Sequence, residues 1–482
     1  MIDEGSATST MTALYTPGNS TDNGTIVVQE NGLVQTVTFS GLTPVEFTGI
    51  AQATLRTPRS ADIVTLAAAV GPTSGLNALE VRGTSAGTGF ETFYASDVAR
   101  VTVDLATADN AGMPVDTVVI EDGALAANEG LALNGLTIQT GIGRDVINLQ
   151  EDSYLTFGGE DALVIDAGGN TDRLNVNVSA ATAQIDQITL TNDNLGLTVA
   201  GVSAGVVSFL SPVSGLSTLG GEEVSLTGQS GAGLDNIFDL SGWTAGTATV
   251  DGGTSTDDTI IGPDVDSLWD VTGSNSGALN GSSISWIDVE NLTGGSGDDL
   301  FVLSTGVTVA GSIDGARAGV LGGVDSIDLS NQAGAQSIVL TSVVDVNGYG
   351  GTVAAVAGGF ADLNGITGTI ASDSLTNAIL DGGSNPVAGT FTLNSNAGVF
   401  QTGTVAVNNV NVTFTNQVAA ADTILRASGS WLADGFASGN VITVTGSASN
   451  DGNFTIASVT ATTLTLVATD TLVNETGVVV DV

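Results

Sequence analysis

Three short runs in this chain set a glycine pair two residues ahead of an aspartate and an apolar stretch behind it. They are GIGRDVINL (141–149), GAGLDNIFDL (231–240) and GSGDDLFVL (295–303), sharing Gly-x-Gly-x-Asp-x-apolar. The glycines permit positive-φ turns with exposed carbonyls, and the aspartate adds a carboxylate oxygen. Oxygen-only donor sets of this kind suit calcium. Asp145, Asp235 and Asp299 are therefore the first candidate ligands, with Gly297 and Asp298 beside the last. A second half follows each run: VIDAGGNTDRLNV (164–176), TVDGGTSTDDTII (249–261) and SIDGARAGVLGGVDSIDL (312–329). Its aspartates, Asp166 with Asp172, Asp251 with Asp257 and Asp258, and Asp314, complete ion sites if an intervening turn of chain brings them alongside. The competing reading is that each aspartate caps its own turn; Asp325, without a flanking Gly-x-Gly, is expected to be structural.

Other chemistries lose their reagents. The sequence has no Cys and no His, and its eight cationic residues are all Arg, so thiolate, imidazole and Schiff-base chemistry are absent. Paired acids such as Asp257-Asp258, Asp298-Asp299 and Glu222-Glu223 invite comparison with glycoside hydrolysis. Neighbours on a strand point to opposite faces, which makes them poor catalytic partners. A polysaccharide lyase would want a Lys or Arg base, and the arginines are scattered. Trp243, Trp269, Trp286 and Trp431 would stack on sugars if exposed, but core positions are expected in so aromatic-poor a chain. No enzyme is expected. The net charge of −43 repels nucleic acid and anionic lipid.

The elements that must carry these turns are strands. Short Val/Ile/Leu/Thr runs such as RVTVDL (100–105) and SIVLTSVVDV (337–346) are broken every few residues by Gly, Asn, Asp or Ser. The best helical candidate, ADIVTLAAAV (61–70), carries too many β-branched residues. Two-sided apolar runs such as DTVVI fit strands buried in a parallel solenoid. The expected fold is all-β: an elongated β-solenoid-like array over 25–415, behind a flexible lead at 1–24, followed by a small β-sandwich or barrel module at 418–482. Asn450-Asp451-Gly452 marks a hairpin there. The first-half motifs lie 90 and 64 residues apart, an irregular period that also suits a string of β-sandwich domains. Weaker echoes sit at 60–66, 116–123 and 378–383.

The run LTGGSGDDLFVL (292–303) resembles the hemolysin-type calcium-binding nonapeptide, with Gly294, Gly295, Gly297, Asp299 and Phe301 in place. Residues 269–303 with 311–331 look like the repeat of giant Gly/Asp-rich bacterial surface proteins, and DTILRASGSWLADGF (422–436) is similar to a small module of such proteins. The resemblance covers about half the chain. It implies an extracellular, cell-surface solenoid of adhesin, coat or S-layer type, without an activity. Here the motifs stand singly rather than in tandem, which departs from regular files of ions. The expected partners are self-association, surface or matrix components and polysaccharide, with Ca2+ as cofactor. No apolar run is long enough to span a membrane. The opening MIDEGSATST has no basic, apolar leader, so export by another route or an excerpt from a longer chain is expected. The alternative is a secreted carbohydrate-binding or carbohydrate-degrading solenoid.

Overall fold

A computed structural model describes residues 2–3, 10–41, 44–109, 112, 114–125, 133–150, 163–181, 184–192, 194–199, 202–209, 223–244, 246–281, 283–316, 323–344, 348–371, 373–377, 392–394, 409–417, 420–431, 436, 438 and 441–482. Glu222 and the echo at 378–383 lie outside these residues. The chain is all-β; the one helical element among the described residues is the 3-10 turn Ala106–Ala108. It divides into two compact units, residues 1–297 with 309–311, and residues 298–308 with 312–482.

In the first unit the chain runs as stacked rungs whose strands pair in parallel. On the first sheet, Ile63, Thr117, Val146, Arg173, Glu223 and Thr247 stand in one register row. Alternation along each strand then sends two residues per rung inward. Val64, Val118, Ile147, Leu174, Val224 and Ala248 form one buried row, and Leu66, Ile120, Leu149, Val176, Leu226 and Val250 the next. The second sheet repeats the device with Ala53, Val101 and Leu136 beside Leu55, Val103 and Ile138. Each such side chain, once buried, contributes roughly 1.5–3 kcal/mol. Long rows of stacked aliphatics explain how an aromatic-poor chain holds a core. The parallel register sets aside a string of sandwiches for this region.

The irregular repeat spacing has a structural origin. Antiparallel hairpins are inserted within rungs, as at Asp62–Val70 with Asn77–Ser85, and at Ser267–Gly273 with Ser276–Leu279 and Ile284–Ile287. Residues 61–70, the one helical candidate, are thus largely strand. Within the stretch expected as a lead, Thr12–Pro17 is a strand that buries Ala13 and Tyr15 by the same alternation.

The second unit holds further parallel rungs, Asp299–Leu303 with Ser326–Asp328 and Gly365–Thr367, and Ser337–Val344 with Ser374–Asn377. It also holds a six-stranded antiparallel sheet whose first strand is Val410–Thr415, inside the range expected for the array. A bridge between Thr445 and Asp481 joins its two edges, so the module is a small barrel. Its core is Phe414, Ile424, Trp431, Phe436, Ile456 and Leu464 with their neighbours. Val441–Val444 pairs with Gly452–Val459, so Asn450-Asp451-Gly452 closes the expected hairpin.

Candidate functional site: buried carboxylate ladders at the rung corners

A residue at or just before the start of a strand turns the corner of its rung. In the first unit four of these corner residues are Asp62, Asp116, Asp145 and Asp172, all buried. They form a ladder. The Asp62 N–H donates to Asp116 Oδ1 at 2.7 Å, the Asp116 N–H to Asp145 Oδ1 at 2.7 Å, and the Asp145 N–H to Asp172 Oδ1 at 2.8 Å. The main chain answers in the other direction: Val146 N–H donates to the Asp116 carbonyl and Arg173 N–H to the Asp145 carbonyl, each at 2.8 Å. Successive rungs are clamped by two reciprocal bonds.

Two shorter ladders use the same geometry. Asn236 N–H donates to Asp258 Oδ1 at 2.6 Å and Asp258 N–H to Glu290 Oε2 at 3.0 Å. In the second unit Asp299 N–H donates to Asp325 Oδ1 and Asp325 N–H to Asn364 Oδ1, both at 2.8 Å. The two halves of the sequence repeat are therefore consecutive rungs meeting at one corner, Asp145 on Asp172 and Asp299 on Asp325. The Gly-x-Gly that precedes the corner has a packing reason. A Cβ on Gly143 would stand 2.0 Å from the Pro114 carbonyl oxygen, and one on Gly297 2.2 Å from the Val265 carbonyl carbon.

The remaining candidates are placed apart. Asp235 lies one residue before the corner, which Asn236 takes, and accepts from the Ser255 hydroxyl. Asp251 and Asp314 receive the N–H two residues on, from Gly253 at 3.0 Å and Ala316 at 3.3 Å, as turn caps. Asp257 is exposed and accepts from Asn291 Nδ2 at 2.8 Å; Asp298, also exposed, accepts the Val324 N–H at 2.8 Å. Asp166, at the end of strand Leu163–Asp166, faces Gln139 Nε2 at 3.4 Å. Ladder members Glu290 and Asn364 carry no Gly-x-Gly and have no signature in the sequence. Asp62 and Asp116 were visible only as echoes of the motif, through the Asp-x-apolar strand start.

Burial makes these carboxyls reluctant to ionise. Asp116 is pushed up to about 8, mainly by desolvation, with the Asp62, Asp109 and Asp145 charges adding to it against one opposing N–H bond. Burial likewise lifts Asp258 and Asp325 to about 7, and Asp62 and Asp145 to about 6. Burial raises Glu290, Asp166 and Asp314 as well. Asp116 Oδ2 and Asp258 Oδ2 are buried without a hydrogen-bond partner. Glu46 shows the contrast. It too is buried, and desolvation alone would raise it, but donors from Thr73 N–H, Ser74 N–H, the Ser74 hydroxyl and the Ser96 hydroxyl hold it below its ordinary value. The number of donors decides whether a buried carboxyl keeps its charge.

Calcium takes six to eight oxygens. Asp116, Asp145, Asp172, Asp258, Glu290 and Asp325 each give one carboxyl oxygen to a backbone N–H, and among the described residues no three acidic side chains are placed to hold one ion. The four tryptophans are buried as well, Trp269 against Trp286 with ring centres 5.5 Å apart, so none offers a face to a sugar. No family model matches this chain, and neither a curated protein nor a solved structure matches it.

Proposed function

We propose that this chain is an extracellular structural or adhesive segment of a bacterial surface protein, of adhesin or surface-coat type and able to self-associate, rather than an enzyme. The observation that carries the reading is the rung-to-rung clamp. Chemistry-bearing side chains are spent on holding one turn of chain to the next, and the tryptophans on filling the interior. The stability of a stacked-repeat protein depends on the contacts between neighbouring repeats, and these side chains lie at those contacts. Calcium enters as a counter-ion for exposed turn carboxylates such as Asp257 and Asp298, where a net charge of −43 needs offsetting. A ligand binding only the folded state at 100 times its dissociation constant adds about 2.7 kcal/mol per site.

Electron microscopy of purified protein with and without calcium, beside thermal unfolding in chelator, tests both parts. Ordered assemblies and a melting temperature lowered by chelator are expected. Turnover of a polysaccharide by the pure protein would refute the structural reading, and an unchanged melting temperature in chelator would remove calcium from it.

A further inference from the structure

Both faces and one edge of the strand Leu33–Ser40 meet solvent. It leaves the strand Asn23–Glu30 through a two-residue turn, Asn31 and Gly32 at φ 50° and 82°, as in type I′ hairpins. Its register with Asn23–Glu30 is unbroken from Leu33 opposite Glu30 to Ser40 opposite Asn23. Among the described residues it pairs with nothing else. The turn fixes which groups point where: Leu33, Gln35, Val37 and Phe39 bond back to the hairpin, so the N–H and C=O groups of Val34, Thr36, Thr38 and Ser40 face outward.

Natural proteins protect such edges with Lys, Pro, a bulge or an inward-pointing charge. This one has none of them. Leu33 is 72% exposed, Val34 61% and Val37 50%. Leu33, Gln35, Val37 and Phe39 also continue the inward-facing row that begins at Tyr15 and Ile26, and Phe39 stacks on Tyr15 with ring centres 6.1 Å apart. The inner surface of the sheet thus runs out onto an open strand.

We infer that Leu33–Ser40 is a self-association edge that pairs antiparallel with the same strand of a second copy of this chain. Charge selects that occupant. The chain carries −43, so two copies repel one another overall, and residues 31–41 present no charged side chain to a second copy. A two-fold axis through Thr36 sets Thr36 opposite its twin, Val34 opposite Thr38 and Gln35 opposite Val37. It also sets Leu33 opposite Phe39, an aliphatic–aromatic pair of the kind that stabilises sheets. The inner rows of both copies then become continuous. The inference rests on the structural reading above and names the surface by which copies meet.

The absence of cysteine makes the test clean. Thr36→Cys places two thiols on residues whose Cα atoms would be ~5.5 Å apart, within disulfide range. Oxidation is expected to yield a covalent dimer, while Thr249→Cys, exposed on the first sheet, stays monomeric. By sedimentation the wild-type chain is expected to dimerise, and Thr36→Lys to raise the dissociation constant tenfold or more (roughly) by setting two cations face to face. Thermal unfolding of Thr36→Lys checks that the variant is folded. A wild-type chain that remains monomeric at about 100 μM, or a dimer that persists in Thr36→Lys, would overturn the inference. Filaments that form unchanged with Thr36→Lys would also overturn it, while leaving the scaffold reading standing.

Discussion

The rung array and the C-terminal barrel solve the same problem, a β-structure with few aromatics, by opposite means. In the array, specificity sits in buried polar corners: stacked Asp, Asn and Glu side chains, most of which accept an N–H from the rung before. In the barrel it sits in a compact apolar centre, with Trp431 against Phe436 at 4.9 Å and the Arg426 guanidinium 4.6 Å from the Trp431 ring. The barrel also has a buried aspartate, Asp422, but both of its oxygens are met, by the N–H groups of Gln417 and Leu472 at 2.7 Å. Asp116 has one N–H and an orphaned oxygen. A polar corner repeated along a stack gives register at the cost of like charges brought close together; a lone aspartate with two donors does not incur that cost.

The largest effect expected from breaking this contrast is on the barrel side. Trp431→Ala should cost about 3–5 kcal/mol, read as lost hydrogen-exchange protection over 410–482 with protection over 62–177 retained. Loss in both regions would mean that the two do not differ in this way. Raising the pH from 5 to 8 should act on the array instead. A carboxyl raised in the folded state binds a proton that the unfolded chain, near 4, has released. Its stabilising contribution is full below about 4 and is lost as the pH passes the folded values of about 6 to 8. The sum is on the order of a few kcal/mol, visible as falling protection in 62–177 while 410–482 holds.

Single corners come next. Asp258→Ala leaves the Asn236 N–H without its acceptor and should cost about 1–3 kcal/mol at pH 5, measured by denaturant unfolding. Asp116→Asn keeps the acceptor and removes the charge, so it should raise the melting temperature at pH 8 and change little at pH 5. Asn236 and Asn364 already occupy corners of this kind. The smallest effect belongs to Asp257→Ala, within ~0.5 kcal/mol, although Asp257 adjoins Asp258 in sequence. Equal costs at these two neighbours would erase the distinction between corner and surface.

Much of this was legible before the structure. Strand texture, the parallel array and the small terminal module follow from two-sided apolar runs and turn punctuation. The two halves of the repeat were visible as sequence, but that they meet at one corner, Asp145 on Asp172 and Asp299 on Asp325, was not. What the sequence conceals is the phase. Asp235 has the motif but Asn236 has the corner, because one extra residue in GAGLDNIFDL slides the strand start along the turn. Glu290 and Asn364 were invisible because a ladder needs only an acceptor of suitable length, which many residue types supply. The irregular period hid the stack because hairpins of differing length interrupt it.

The clamps also have a direction. In all three ladders the earlier rung lends the N–H and the later rung lends the side chain. A chain that emerges from its N-terminus must hold each finished corner in water until the next turn of backbone is delivered. Delivered from its C-terminus, every new turn would meet an acceptor already in place. The order in which the molecule is threaded into its folding compartment therefore sets how long an unmet corner waits.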